Sequence, residues 1–208
     1  MDETEKKSLD QENLPDPTSL YFCNNWKLYA NLQCGSTTYS SSYIEISDIS
    51  TIADYWMTMN NIPSAFDLHT NQVFIDNKRV SAYSLFKEDI TPEWEHPINE
   101  NGCEWGCREN LTDSTFAHMW QTLTLMAVNN ELDYVIGIRC INKTNRMRNL
   151  HKIEVWLDND DYNIALSVKD LLDKTFENCP LFTLMYHKDK KQQAYEYLSK
   201  RIKHKKRT

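Results

Sequence analysis

The sequence predicts an α+β fold, an antiparallel sheet with helices on one face. Three observations carry that reading. Segments with two-residue apolar alternation come in pairs, three longer segments repeat apolar residues at helical spacing, and the two kinds do not alternate as βαβ units would. The chain has 208 residues, 40% of them apolar, so one compact domain with a substantial core is expected.

In chain order, residues 1–19 are polar, contain Pro15 and Pro17, and read as a disordered arm. Asn25–Gln33 alternates Trp26, Leu28, Ala30 and Leu32, a strand with one buried face. Cys34–Ser42 holds Gly35 among Ser and Thr and reads as a loop leading into a short strand, Tyr43–Ile46. A helix follows, with Ser50 as N-cap, Ile52, Tyr55, Trp56 and Met59 on one stripe, and Pro63 as its stop. Ser64–Val80 is weakly patterned, a loop with an extended piece at Val73–Ile75. Strands are expected at Ser81–Lys87 and Gly102–Glu109. A second helix, Ser114–Asn129, stripes Phe116, Met119, Trp120, Leu123 and Ala127. Strands Tyr134–Asn142 and Lys152–Leu157 flank the basic loop Lys143–His151. A third helix spans about Asp160–Glu177, with Asn178 as C-cap and Pro180 as stop, before a last strand, Leu181–His187. The domain therefore occupies residues 20–188, and 189–208 is a basic tail or short helix.

Charge is unevenly spread. The net charge is −7, yet residues 188–208 hold nine Lys or Arg against two acids, leaving −14 on the rest. Val135–Ile153 carries five basic residues and no acid, an anion-site candidate in an acidic chain. The tail is expected to act as an electrostatic arm. No window approaches the ~20 apolar residues of a membrane span, and the acidic N-terminus resembles neither a signal nor a transit peptide. A cytosolic protein is expected, with access to the nucleus left open. Of the six cysteines only Cys103 and Cys107 are close, without CxxC spacing or a His cluster. Zinc is not expected, and these read as free thiols. No cofactor is expected.

One stretch, Tyr83–Pro97 (YSLFKEDITPEWEHP), carries more chemistry than any other. Pro92 fixes its own φ and pushes Thr91 toward extended conformations, so the chain bends there. Beyond the bend, Trp94 offers a flat π-face, and a carboxylate beside it accepts two parallel hydrogen bonds. Together they suit a flat ligand with adjacent N–H donors, such as the N1 and N2 edge of guanine. A Trp on such a turn otherwise simply caps a core.

YSLFKEDITPEWE resembles the signature of the eukaryotic translation initiation factor 4E family, mRNA 5′-cap-binding proteins, which reads close to YSLFKxxIxPxWE. Weaker similarity runs from about Trp26 to about Tyr186. The resemblance implies a curved antiparallel sheet of about eight strands backed by three long helices on the convex face, with the cap in the concave face. A cap is a cationic N7-methylguanine on a triphosphate. By resemblance Trp94 is one stacking partner and Tyr39 the other, in place of the family's Trp; Tyr43 is the alternative if the loop is shifted. Glu95 reads the guanine edge, while Glu93 is taken as solvated. Trp156 matches the Trp beside the N7-methyl, although a core Trp fits the pattern equally well. Lys143 and Lys152 align with the basic pair for the phosphates; Arg139, Arg146 and Arg148 are further candidates in or near a longer loop.

The resemblance also gives Trp56 a second role, receiving a partner helix of the YxxxxLφ type from scaffold initiation factor 4G or from binding proteins, with Ile52 and Leu125 beside it. Adjacent helical residues differ by ~100° in direction, so Tyr55 is expected inside and Trp56 outside. Two departures, Leu20-Tyr21 for the family's His-Pro and Thr122 for its Glu, leave the choice of partner open. A monomer that binds capped mRNA and recruits the initiation machinery is the leading expectation. A cap-binding repressor and an interaction module without cap binding are the alternatives. An enzyme fits poorly: the chain has four glycines and no phosphate-cradling Gly loop, HExxH or GxSxG.

Overall fold

The computed structural model describes residues 16, 20–33, 43–70, 73–144, 150–176 and 182–189. Tyr39, Arg146, Arg148, Cys34, Cys179, Asn178 and Pro180 lie outside them, as do nearly all of the N-terminal arm and the tail from residue 190.

The elements are β1 (Tyr21–Leu32), β2 (Tyr43–Thr51), α1 (Ile52–Asn61), α2 (Ala65–Thr70), β3 (Phe74–Ile75), β4 (Lys78–Lys87), α3 (Pro97–Glu100), β5 (Cys103–Glu109), α4 (Asp113–Val128), β6 (Val135–Asn142), β7 (His151–Leu157), α5 (Tyr162–Thr175) and β8 (Thr183–Tyr186). The strands form one eight-stranded antiparallel sheet in the order β2-β1-β4-β6-β7-β5-β8, with β3 paired to β4. This is the α+β arrangement expected from the alternating strands.

Four local expectations are corrected. The cap of α1 is Thr51 and not Ser50: the Thr51 hydroxyl accepts from Asp54 N (3.1 Å) and the Asp54 carboxylate accepts from Thr51 N (2.9 Å), a reciprocal box that Ser50 does not close. β2 runs to Thr51 because its pairing with β1 continues to Tyr21. The stretch read as a loop contains α2, opened by Ser64, whose hydroxyl accepts from Asp67 N at 3.2 Å. The third helix is also shorter than expected: it ends at Thr175, with Phe176 as its cap.

Alternation decides the faces. On one face Trp26, Leu28 and Ala30 of β1, Tyr83 and Leu85 of β4, Val135, Ile138 and Cys140 of β6, and Ile153, Val155 and Leu157 of β7 join the main core. Tyr55 of α1, Leu68 of α2, Phe116, Met119 and Leu123 of α4, and Ala165, Val168 and Leu172 of α5 cover that face. The opposite face carries a second, smaller cluster of Tyr29, Phe86, Ile90, Ile136 and Trp156, with Tyr43 and Trp94 packed against it and, among the described residues, no member from the helices that cover the main core. Gly137, opposite Phe86 in the ladder, makes room for that cluster: a Cβ there would lie 2.4 Å from the Phe86 ring. Cys103, Cys107 and Cys140 are buried free thiols and Cys23 is exposed. No described helix is long and apolar enough to cross a membrane.

Candidate functional site

The Trp94 loop leaves β4 through Asp89, whose φ of 67° is a left-handed turn that Asp tolerates better than most residues. Pro92 is buried, which anchors the bend. Asn99, fully buried in α3, then ties the loop from beneath: its side-chain amide donates to the Thr91 carbonyl (2.9 Å) and the Glu93 carbonyl (2.7 Å). The loop is therefore held by its backbone, which leaves side-chain direction to Trp94, half-buried on the small cluster, and Glu95, exposed beside it. Tyr43 approaches from β2. Its ring meets Tyr29 edge-on at 5.5 Å, and its hydroxyl lies near the Thr91 and Glu93 side chains. Burial, then the Glu93 charge, raises the Tyr43 pKa, and burial pushes Tyr29 up to about 12. Glu93 is half-buried, its charge close enough to act on Tyr43.

Behind the aromatic loop, side chains far apart in sequence meet. Strand register sets Arg139 between Ser84 and Glu154, and Glu104 opposite Trp156. Arg139 donates from Nε to the Ser84 hydroxyl and from a terminal nitrogen to Glu154 Oε2, both at 3.1 Å. Lys152 Nζ donates to Glu104 Oε1 (3.0 Å) and to Glu154 Oε1, and the Trp156 indole N–H donates to Glu154 Oε2 at 3.0 Å. Burial alone would lower the Lys152 pKa, but the Glu154 and Glu104 carboxylates outweigh it and hold the ammonium above its ordinary value. His187 closes the chain of contacts. Its Nδ1–H donates to the Asn99 carbonyl (2.7 Å), and Nε2 lies 3.6 Å from Glu104 Oε2. The buried charges thereby connect to the residue that holds the Trp94 loop.

These contacts revise what the sequence suggested. Lys152 and Arg139 are not open to solvent but are paired with carboxylates in the sheet, with side-chain exposures of 14% and 5%. Trp156 has no exposed surface and packs on Phe86 (5.3 Å), His187 (4.3 Å) and the Arg139 guanidinium (5.5 Å). A ligand methyl reaches its ring only if one of these moves. Lys143 stands exposed at the rim, its backbone N–H closing the hairpin on the Leu150 carbonyl. Glu104, Glu154, Asn99 and His187 were missed. Glu154 had a signal: it alternates with Lys152 and Trp156 along β7, and so shares their face.

A family model described as "Eukaryotic initiation factor 4E" matches residues 21–206. The chain belongs to the eukaryotic initiation factor 4E family. Among curated relatives, the "Eukaryotic translation initiation factor 4E" of Dictyostelium discoideum is 28% identical over 158 residues, covering 74% of this chain and 59% of that protein. The Triticum aestivum "Eukaryotic translation initiation factor NCBP" is 27% identical over 146 residues, 67% of this chain and 55% of that protein. The chain thus spans less than two thirds of the length of these relatives. The fold matches C. elegans eIF4E-3, solved with the 4E-binding protein Mextli, at a TM-score of 0.68 and 21% identity over 82% of this chain and 95% of that one. Schistosome eIF4E, solved with m7GpppG and 4E-BP, matches at 0.67 and 21% over 83% and 91%. The curved eight-stranded sheet is shared with these factor 4E structures.

On the helical side of this factor 4E fold, Tyr55 and Trp56 divide as adjacent helical positions must. Tyr55 is buried and shares a 2.8 Å hydrogen bond with Thr124, while Trp56 is 38% exposed and meets the Tyr55 ring edge-on at 5.1 Å. Beside Trp56 lies a cavity of about 160 Å³ lined by Met59, Ile62, Ala117, Trp120 and Gln121 among others. Ile52 and Leu125 are half-buried and do not line it. The α4 residues Ala117, Trp120 and Gln121 were not anticipated, because only packing brings α4 beside α1.

Proposed function

We propose that this protein binds the 7-methylguanosine end of mRNA on the sheet face away from the core helices, at Trp94, and a helical YxxxxLφ segment, of scaffold factor 4G or a binding protein, at Trp56. The observation that carries the first part is the Trp94–Glu95 pair, held by Asn99 at the edge of the smaller aromatic cluster. In this reading Trp94 stacks on the cationic base, worth about 1–3 kcal/mol with a further cation–π contribution. Tyr39, or Tyr43 from the opposite side, completes the sandwich. Glu95 accepts from the guanine N1 and N2 donors. Lys143, Arg146 and Arg148 are the cations assigned to the phosphates, with Lys152 and Arg139 behind them. The protein acts by binding, without catalysis, in the cytosol. Residues 20–188 are the binding domain, flanked by an N-terminal arm and a basic tail.

Intrinsic fluorescence titration tests this. Trp emission should quench on adding 7-methyl-GTP, and Glu95→Ala should weaken binding by roughly 2–3 kcal/mol, the worth of hydrogen bonds to a charged acceptor. Equal affinity for unmethylated GTP would show the reading to be wrong.

A further inference from the structure

Building on the Trp56 part of that reading, we infer that the cavity beside Trp56 is an accessory pocket. It receives one aromatic side chain that the partner segment carries outside its YxxxxLφ helix. The surface assigned to that helix runs from Trp56 toward Ile52, one turn earlier on α1, and toward Leu125 on α4, and neither Ile52 nor Leu125 lines the cavity. The cavity lies the other way from Trp56. It is built from the next turn of α1 at Met59, from Ala65 at the start of α2, and from Ala117 and Gln121, two turns and one turn before Leu125 on α4. A helix seated on Ile52, Trp56 and Leu125 leaves the cavity open, and the chain flanking that helix is what reaches it. Trp56, more than a third exposed, joins the two areas into one continuous face.

The lining grades from an apolar floor to a polar rim. Tyr55, Ala65 and Trp120 are buried, Met59 and Ala117 are half-buried, and Asn60 and Gln121 are exposed. The two alanines make the space, which larger side chains there would fill. The volume of about 160 Å³ suits a single ring, since an apolar cavity of about 150 Å³ holds benzene. A ring is favoured over an aliphatic side chain because Tyr55, Trp56 and Trp120 and the Met59 thioether surround it. The Asn60 and Gln121 amides each donate and accept, so they suit the partner's main chain where it turns to insert the ring.

The test uses the full chain and a YxxxxLφ helical peptide extended, at either end, by a short Gly-Ser linker that finishes in Phe, Leu or Ala. By calorimetry, Phe at one of the two ends should tighten binding about fivefold or more over Ala, with Leu between them. Ala117→Met fills the cavity from a helical position. It should erase the Phe gain while the Ala-ended peptide keeps its affinity within about twofold. No gain from Phe at either end, or a gain that survives Ala117→Met, would overturn the inference. Self-association of the chain that Ala117→Met abolishes would put a second copy in the cavity and overturn the partner assignment. If the variant fails to fold, p-cresol, the tyrosine side chain alone, decides: a saturable shift of the Met59 methyl resonance supports the pocket, and no shift refutes it. A parent peptide that does not bind would sink the Trp56 reading, while p-cresol would still report whether the cavity takes a ring.

Discussion

The two faces of the sheet are equally buried along β5, β6 and β7 but differ in chemistry. Toward the helices, these strands present Trp105, Cys107, Ile138, Cys140, Ile153 and Val155. One residue away along the same strands they present Glu104, Arg139, Lys152, Glu154 and Trp156. The first set is stabilised by removing apolar surface from water. The second has paid desolvation for four charges and recovers it only through pairing, which apolar residues of the same size often match or exceed. Burial by itself therefore does not mark a structural core. The charged face is retained at a stability cost.

The comparison breaks most sharply at Glu154. Glu154→Ala takes one carboxylate partner from both Arg139 and Lys152 and removes the acceptor of the Trp156 N–H, so it should cost about 3–5 kcal/mol. Replacing Arg139, Lys152, Glu104 and Glu154 together by Met or Leu should instead leave stability unchanged or raise it by about 1–4 kcal/mol. Urea unfolding of both variants measures this; a quadruple variant as damaged as the single one would refute the claim that the face costs stability.

Neighbouring residues of β4 sharpen it next. Leu85→Ala, on the helix side, should cost about 2–5 kcal/mol from lost transfer and a cavity. Ser84→Ala, on the open side, should cost about 1–3 kcal/mol by depriving the Arg139 Nε–H of its acceptor. The urea midpoints should rank in that order with unchanged slopes.

Alkaline pH probes the buried thiols of the helix side, with Tyr29 titrating alongside on the other face. Burial pushes the thiols of Cys103 and Cys140 from 9.0 up to about 12, so between those values the unfolded chain has lost protons that the folded chain keeps. Stability is then complete below pH 9 and falls as pH rises toward 12. Cys140→Ala should flatten that fall in a pH series of thermal unfolding; an identical slope would remove the thiol as its cause.

The smallest effect on stability is expected at Trp56. Its ring contact with Tyr55 is worth about 0.5–1.5 kcal/mol, and more than a third of the side chain is already in water. Trp56→Ala should shift the unfolding midpoint little, abolish binding of a YxxxxLφ peptide measured by calorimetry, and leave 7-methyl-GTP affinity within a few-fold.

By itself, the sequence determined the parts governed by short-range rules. Two-residue alternation named the strands and placed Trp26, Leu28 and Ala30 on one face, because successive side chains must point oppositely. Helical spacing gave the three long helices and separated Tyr55 from Trp56. The Thr91-Pro92 bend put Trp94 and Glu95 on a turn. Tertiary structure decided who meets whom. Glu104 and Lys152 are 48 residues apart and His187 and Asn99 are 88 apart, and no local period encodes those contacts. They exist because β5 lies between β7 and β8 in the sheet, and because ladder register sets Glu104 against Trp156 and Arg139 against Glu154. Alternation chooses the face of a strand, but only strand order and register choose the neighbour, and the neighbour decides whether a lysine is a free cation or half of a buried pair.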